Sequence, residues 1–529
     1  MRRYGILGMA AMACATPSVA GQSRGDAVEE VSVDRLQEGM RQGTLTSVAV
    51  TRAYLARIAA IDRQGPTLRS VIALNPDALA QAQALDAERR AGRVRGPLHG
   101  VPILIKDNIE TADRMATTAG SLALKDNVTG RDAPLVAALR RAGAVILGKT
   151  NLSEWANIRS TRSMSGWSAV GGLVRNPYAL DRTACGSSSG SGAAVAASLA
   201  AVAVGTETDG SVVCPSSING LVGFKPTLGL ISRSRIVPIS HSQDTPGPMA
   251  RSVRDAALLL SAMVGPDPGD PATARTTPRD YAAGLSAGAL AGKRVGVVRP
   301  DDLPAPLAAR FDAALAVLRA AGATLVDVTM PKLDGLGTAE LVVLKTELKA
   351  DLDAYLATTP AAVKTRTLAQ VIAFNRERAD AEMPFFAQEL FEQAEKTKGI
   401  ADPAYRAARA TSLRLAGREG IDAMLAAAKA GLLVTPTYGA AWLSDPVHGD
   451  QYGGPSASTL PAVAGYPHLT VPMGLMQGLP VGLSFIGTAN ADADVLSAGY
   501  AYEQRAGARV APRYLPQAAV GPGLEGNRR

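Results

Sequence analysis

The sequence predicts an α/β protein with a large mixed β-sheet wrapped by helices. A β-run at 293–298, a helical run at 306–320 and a β-run at 324–328 form one β-α-β unit, which calls for parallel strands. Two further β-runs, 469–473 and 479–487, are joined by a short turn containing glycine. The chain has 529 residues, 47% hydrophobic and 19% charged, enough to bury a large core in one unit.

Taken in order, 31–63 reads as two amphipathic helices, with Asp34 placed to cap the first. Asn75-Pro76-Asp77 starts a helix that runs to Gly92, and 96–102 turns the chain into a strand that delivers Lys106 at its end. A helix over 134–141 stops at Gly143, 144–147 is a strand, and Asn151 is positioned to cap a helix through Trp155. Glycine and serine loops at 185–192 and 205–211 flank an alanine-rich helical run that needs no bulk. After Pro226 the pattern is polar and turn-rich as far as Arg251, followed by a helix over 256–263. Residues 340–429 are nearly all helical and form a cap, 431–436 is a strand, and 492–506 is a closing helix with Asp492 as its N-cap. A loose tail begins at Pro516.

The formal net charge is +8, but the basic residues are scattered and only 12 of 55 are lysine, so no nucleic-acid stripe exists. Arg2 and Arg3 precede an apolar run from Ile6 to Ala13, and Ser18-Val19-Ala20 offers small residues for cleavage. Residues 1–20 therefore read as a secretory leader, the mature chain starting at Gly21 in the periplasm or medium. No apolar run is long enough to span a bilayer. Without the leader two cysteines remain, Cys185 and Cys214, whose pairing the sequence leaves open. Four scattered histidines give no zinc spacing, and the reading calls for no metal or organic cofactor. Nothing in the sequence signals an oligomeric state.

Two motifs mislead. Gly143-x-x-x-x-Gly148-Lys149-Thr150 fits a phosphate-loop pattern, but the intervening Ala-Val-Ile-Leu forms a strand where a turn is required. Gly186-Ser187-Ser188-Ser189-Gly190 fits a nucleophile elbow, but no apolar strand feeds it, and His468 reads as the start of a strand. With no plausible His/Asp pair, a lysine is the remaining base for serine chemistry. It serves near neutral pH only if desolvation lowers its pKa, which the apolar run before Lys106 supplies.

Gly100-Val101-Pro102 with Ile105-Lys106-Asp107-Asn108, then Gly186-Ser187-Ser188-Ser189-Gly190-Ser191, then Gly205-Thr206-Glu207-Thr208-Asp209-Gly210-Ser211 with Lys225-Pro226 resembles the amidase signature family, including the 24-residue spacing between Ser187 and Ser211. The similarity runs from about Val31 to Arg505, and Thr-Glu-Thr-Asp-Gly-Ser with Ala464-Gly465-Tyr466-Pro467 resembles its peptide amidase branch. The resemblance implies that fold, one catalytic domain over 21–529, and hydrolysis of peptide C-terminal amides through an acyl-enzyme. It implies Ser211 as nucleophile, Ser187 on a cis peptide as proton relay and Lys106 as base. Backbone N–H groups around Thr208, Asp209, Gly210 and Ser211 would bind the substrate oxyanion. The chain departs from the family in Asp209 before Gly210, in Val212-Val213 after the nucleophile, and in Cys185 and Ser189 where glycines are usual. Small aliphatic or aryl amides are the alternative substrates. A tRNA amidotransferase subunit or a non-catalytic binding protein fits the leader and the three reactive residues less well.

Overall fold

Short apolar runs separated by helices assemble into one eleven-stranded sheet in the computed structural model, which describes residues 28–518. The predicted leader and all of the tail beyond residue 518 lie outside the described residues. The strands are β1 (Val71–Leu74), β2 (Pro102–Lys106), β3 (Val145–Thr150), β6 (Val202–Glu207), β7 (Val222–Lys225), β8 (Thr245–Ala250), β9 (Arg294–Val298), β10 (Thr324–Val328), β11 (Leu432–Pro436), β12 (His468–Met476) and β13 (Leu479–Ile486). A separate hairpin pairs β4 (Trp167–Ser168) with β5 (Gly172–Leu173). The sheet order is β1-β3-β2-β6-β8-β7-β12-β13-β11-β9-β10. β2 runs parallel to β3 and β6, and β9 parallel to β10 and β11, while β6 and β8 or β12 and β13 are antiparallel. The sheet is mixed, as the sequence predicts.

Strand β8 was hidden in the stretch read as turns. Pro246 and Pro248 cannot donate to a ladder, which argues against a central strand. β8 nevertheless lies between β6 and β7. It pairs with β6 along its whole length but meets β7 only through Met249 and Ala250, so the prolines occupy the part laddered on one side.

Three expected caps are corrected for a common reason: the side chain is engaged elsewhere. Ser32, not Asp34, caps Val33–Arg41 by accepting from Arg35 N. Asn151 caps no helix; its amide donates to the carbonyls of Arg69 and Gly172. Asp492 sits in the first turn of Asp492–Ala506 and accepts from Thr227 N at 2.8 Å and Thr227 Oγ1 at 2.5 Å.

Ser189–Ala196 is a wholly buried helix beside the centre of the sheet. Gly190 permits this, because a Cβ there would lie 2.3 Å from Ser70 O and 2.4 Å from Asn151 O. The cap begins with Leu336–Ala357 and ends with Ala423–Ala428. Its Leu348, Leu352, Leu356, Val371 and Phe391 share a small core with Trp155 and Ala119, which seats the cap over the loops at one end of the sheet. Phe391 meets Trp155 edge-on, with ring centroids 5.7 Å apart.

Candidate active site

Three neighbouring segments carry the residues expected to react. β2 is buried at all five residues and ends on Lys106, and the parallel register of β2 with β6 aligns Ile105 with Val204. The Lys106 Nζ then reaches Ser187 Oγ at 2.8 Å, Thr206 Oγ1 at 2.9 Å and Thr206 O at 3.2 Å. The amine is fully buried, and desolvation brings its pKa down to about 7 against the opposing charges of Asp244 and Glu207. Asp107 does not pair with Lys106. It accepts from Thr118 N at 3.1 Å and faces Lys149, whose Nζ lies 4.0 Å away.

The serines of the first loop separate by their partners. Ser188 is held against β6, donating to Thr206 O at 3.0 Å and accepting from Thr206 N at 3.2 Å. Ser191 Oγ donates to Val204 O at 3.1 Å, and Ser189 Oγ to Cys185 O. Ser187 alone of the four meets the lysine, and the Gly186–Ser187 peptide is cis.

The second loop is shaped from below by Glu207, whose buried Oε2 accepts from Val212 N at 2.7 Å and Val213 N at 3.0 Å. Gly210 follows at φ 77°, where a Cβ would lie 2.4 Å from the Tyr438 hydroxyl. Among the described residues, the backbone N–H groups of Thr208, Asp209, Gly210 and Ser211 have no hydrogen-bond acceptor. Unpaired backbone N–H groups in succession are the kind of donor that can receive a negative oxygen. The side chains beside them are occupied: Thr208 Oγ1 donates to Asp244 at 2.6 Å, and Thr459 Oγ1 donates to Asp209 Oδ2 at 2.8 Å.

The two loops are fastened twice. Ser188 N donates to Ser211 O at 3.2 Å, and Cys185 and Cys214 form a disulfide with their Cα atoms 6.1 Å apart. The pairing that the sequence left open therefore exists. A cavity of about 580 Å³ touches Asn108, Thr206, Thr208 and Asp244 but neither serine.

The decoys resolve as predicted. Lys149 is buried in β3 and donates to Ile109 O at 2.9 Å, so no phosphate loop forms. His468 begins β12, and burial with the Lys225 charge drives its pKa down to about 3. None of the four histidines hydrogen-bonds Ser187 or Ser211 among the described residues. Sequence reasoning missed Thr206 and Glu207 as shaping groups, although both are polar residues in an otherwise apolar strand. It also missed Gln243, Asp244 and Glu340, which no local pattern marks.

The amidase family profile matches residues 49–496. The chain belongs to the amidase family. It is an amide-hydrolysing enzyme, and its fold is that of the solved family members. The native peptide amidase from Stenotrophomonas maltophilia is 53% identical to this amidase, with a TM-score of 0.87 covering 92% of this chain and 99% of that one. A peptide amidase in complex with the competitive inhibitor chymostatin, also 53% identical, gives a TM-score of 0.89 over 92% of this chain and 100% of that one. A probable amidase of Arabidopsis thaliana is 38% identical over 503 residues, 92% of each protein.

Proposed function

We propose that this amidase removes the C-terminal carboxamide of peptide amides, giving free acid and ammonia through an acyl-enzyme. The observation that carries the mechanism is the buried Lys106 amine hydrogen-bonded to Ser187 beside a loop of free N–H groups. Neutral Lys106 accepts the Ser187 proton, Ser187 accepts the Ser211 proton, and Ser211 Oγ attacks the amide carbon. The oxyanion settles among the N–H groups of 208–211, where one donor is worth about 3 kcal/mol. The proton returns through Ser187 to the amide nitrogen, ammonia leaves, and water attacks the ester by the same relay. The peptide preference is supported by the 53% identity to peptide amidases.

Ammonia release from a panel of peptide amides, free amino-acid amides and aliphatic amides tests the substrate. Turnover concentrated on the aliphatic amides would reject the peptide reading. Ser211→Ala is expected to lower turnover at least ~10⁴-fold with the fold retained. We also propose export, with the leader at 1–20 cleaved after Ala20; N-terminal sequencing of the mature protein reads this directly.

A further inference from the structure

Glu340, buried on the cap helix Leu336–Ala357, reaches across to the loop that carries Ser211. Its carboxyl group acts on that of Asp209, two residues before Ser211, and burial with the Asp209 charge raises the Glu340 pKa. Glu340 Oε1 accepts from Gln243 Nε2 at 3.0 Å, and the same amide nitrogen lies 3.3 Å from Thr208 O. Asp209 Oδ2 accepts from Thr459, and the buried Asp209 Oδ1 accepts from no N–H or hydroxyl group among the described residues. Ionised carboxylates only accept, so a bond between two of them requires that one keep its proton.

We propose that Glu340 is a positioning residue: as the neutral acid it donates to Asp209 and fixes the loop whose N–H groups receive the oxyanion. This rests on the role given above to Ser211 and its loop. The groups facing Asp209 are Lys225, Glu207, Tyr438 and the Ser458 and Thr459 hydroxyls, and those facing Glu340 are Asp209 and Gln243. Lys225 favours the ionised form of Asp209, which leaves the proton on Glu340. Burial and the Asp209 charge push the Glu340 carboxyl up to about 8. Above that pH two like charges oppose each other, and the cap no longer holds the loop.

The test is the pH dependence of kcat and KM on one peptide amide for wild type, Glu340→Gln and Glu340→Ala. Wild-type kcat is expected to fall above about pH 8. Glu340→Gln, whose amide N–H still donates to Asp209, should keep neutral-pH kcat within about threefold and lose the alkaline fall. Glu340→Ala should lower kcat about tenfold or more with KM little changed. The proposal is overturned if wild type shows no alkaline fall, if Glu340→Gln retains it, or if a folded Glu340→Ala matches wild type. Should the alanine variant not fold, the glutamine arm decides. Failure of the underlying reading is separate: Ser211→Ala would then stay active whatever the Glu340 variants do.

Discussion

Lys106 Nζ donates to Ser187 Oγ at 2.8 Å although 81 residues of chain separate them. The sheet makes the meeting possible. β2 and β6 are parallel neighbours, so the end of one strand arrives level with the serine loop packed against the other. A charged ammonium there would be costly, which is why the amine loses its proton near neutral pH instead of high in the alkaline range.

Amide hydrolysis should therefore rise with pH through about 7. Below that value Lys106 is protonated and cannot accept from Ser187, so kcat/KM for the free enzyme should drop about tenfold per pH unit on the acid side. Lys106→Ala should cost about 10²- to 10⁴-fold. A pH profile flat down to pH 5 would make the lysine a structural residue.

The same burial should trade stability for function. The Lys106 pKa is about 7 folded against 10.5 for the exposed amine, so between those values the unfolded chain binds more protons. Stability is then lost as pH falls from 10.5 towards 7. Lys106→Met removes that penalty. Thr206 O and Oγ1 keep Ser188 and Asn108 as donors, so among the lysine's partners only the Ser187 hydroxyl loses its bond. The inactive variant should be more stable than wild type at pH 7 by a few kcal/mol, on the order of 1.4 per pKa unit, with the gap closing by about pH 10. Calorimetry at both pH values measures it, and a lower melting temperature at pH 7 would contradict the account.

What the sequence revealed and what it concealed follow from the range of the interactions. Lys106 stood out because an ammonium at the end of Ile-Leu-Ile is anomalous within five residues of chain. The β-α-β unit of β9 and β10 was legible because its pairing is nearly local. β8 was not, since its prolines obey the proline rule only once β7 is known to diverge after two paired residues. Asp492 looks like a cap until Thr227, 265 positions away, occupies both carboxylate oxygens. Glu340 was invisible for the same reason: a glutamate on a long charged helix acquires meaning only from the Asp209 it faces.

The disulfide closes a sequence separation of 29 residues between the two serine loops. Loop-closure entropy alone gives about 3 to 4 kcal/mol for such a crosslink. Cys185→Ala with Cys214→Ala should lower stability by that order, seen as a shifted denaturant midpoint. Wild type treated with reductant should move towards the same midpoint. No shift under either treatment would show that the bond does not form in solution.

Gly210 tests whether the free N–H groups act together. Its φ of 77° lies in the left-handed region, and an added Cβ would sit 2.4 Å from the Tyr438 hydroxyl and 3.0 Å from Ser458 Oγ. Gly210→Ala must therefore turn the peptide or push Tyr438 away, and either shift misaligns donors that need to sit about 3 Å from the oxyanion. The variant is expected to lose about 10²- to 10³-fold in kcat with a stability loss of about 1 to 2 kcal/mol, since the backbone penalty for a left-handed alanine is small. Adding Tyr438→Phe removes the closest contact but leaves the dihedral cost, so the double variant should regain about tenfold of the lost kcat. Wild-type kcat in Gly210→Ala would mean that the oxyanion is held somewhere other than 208–211.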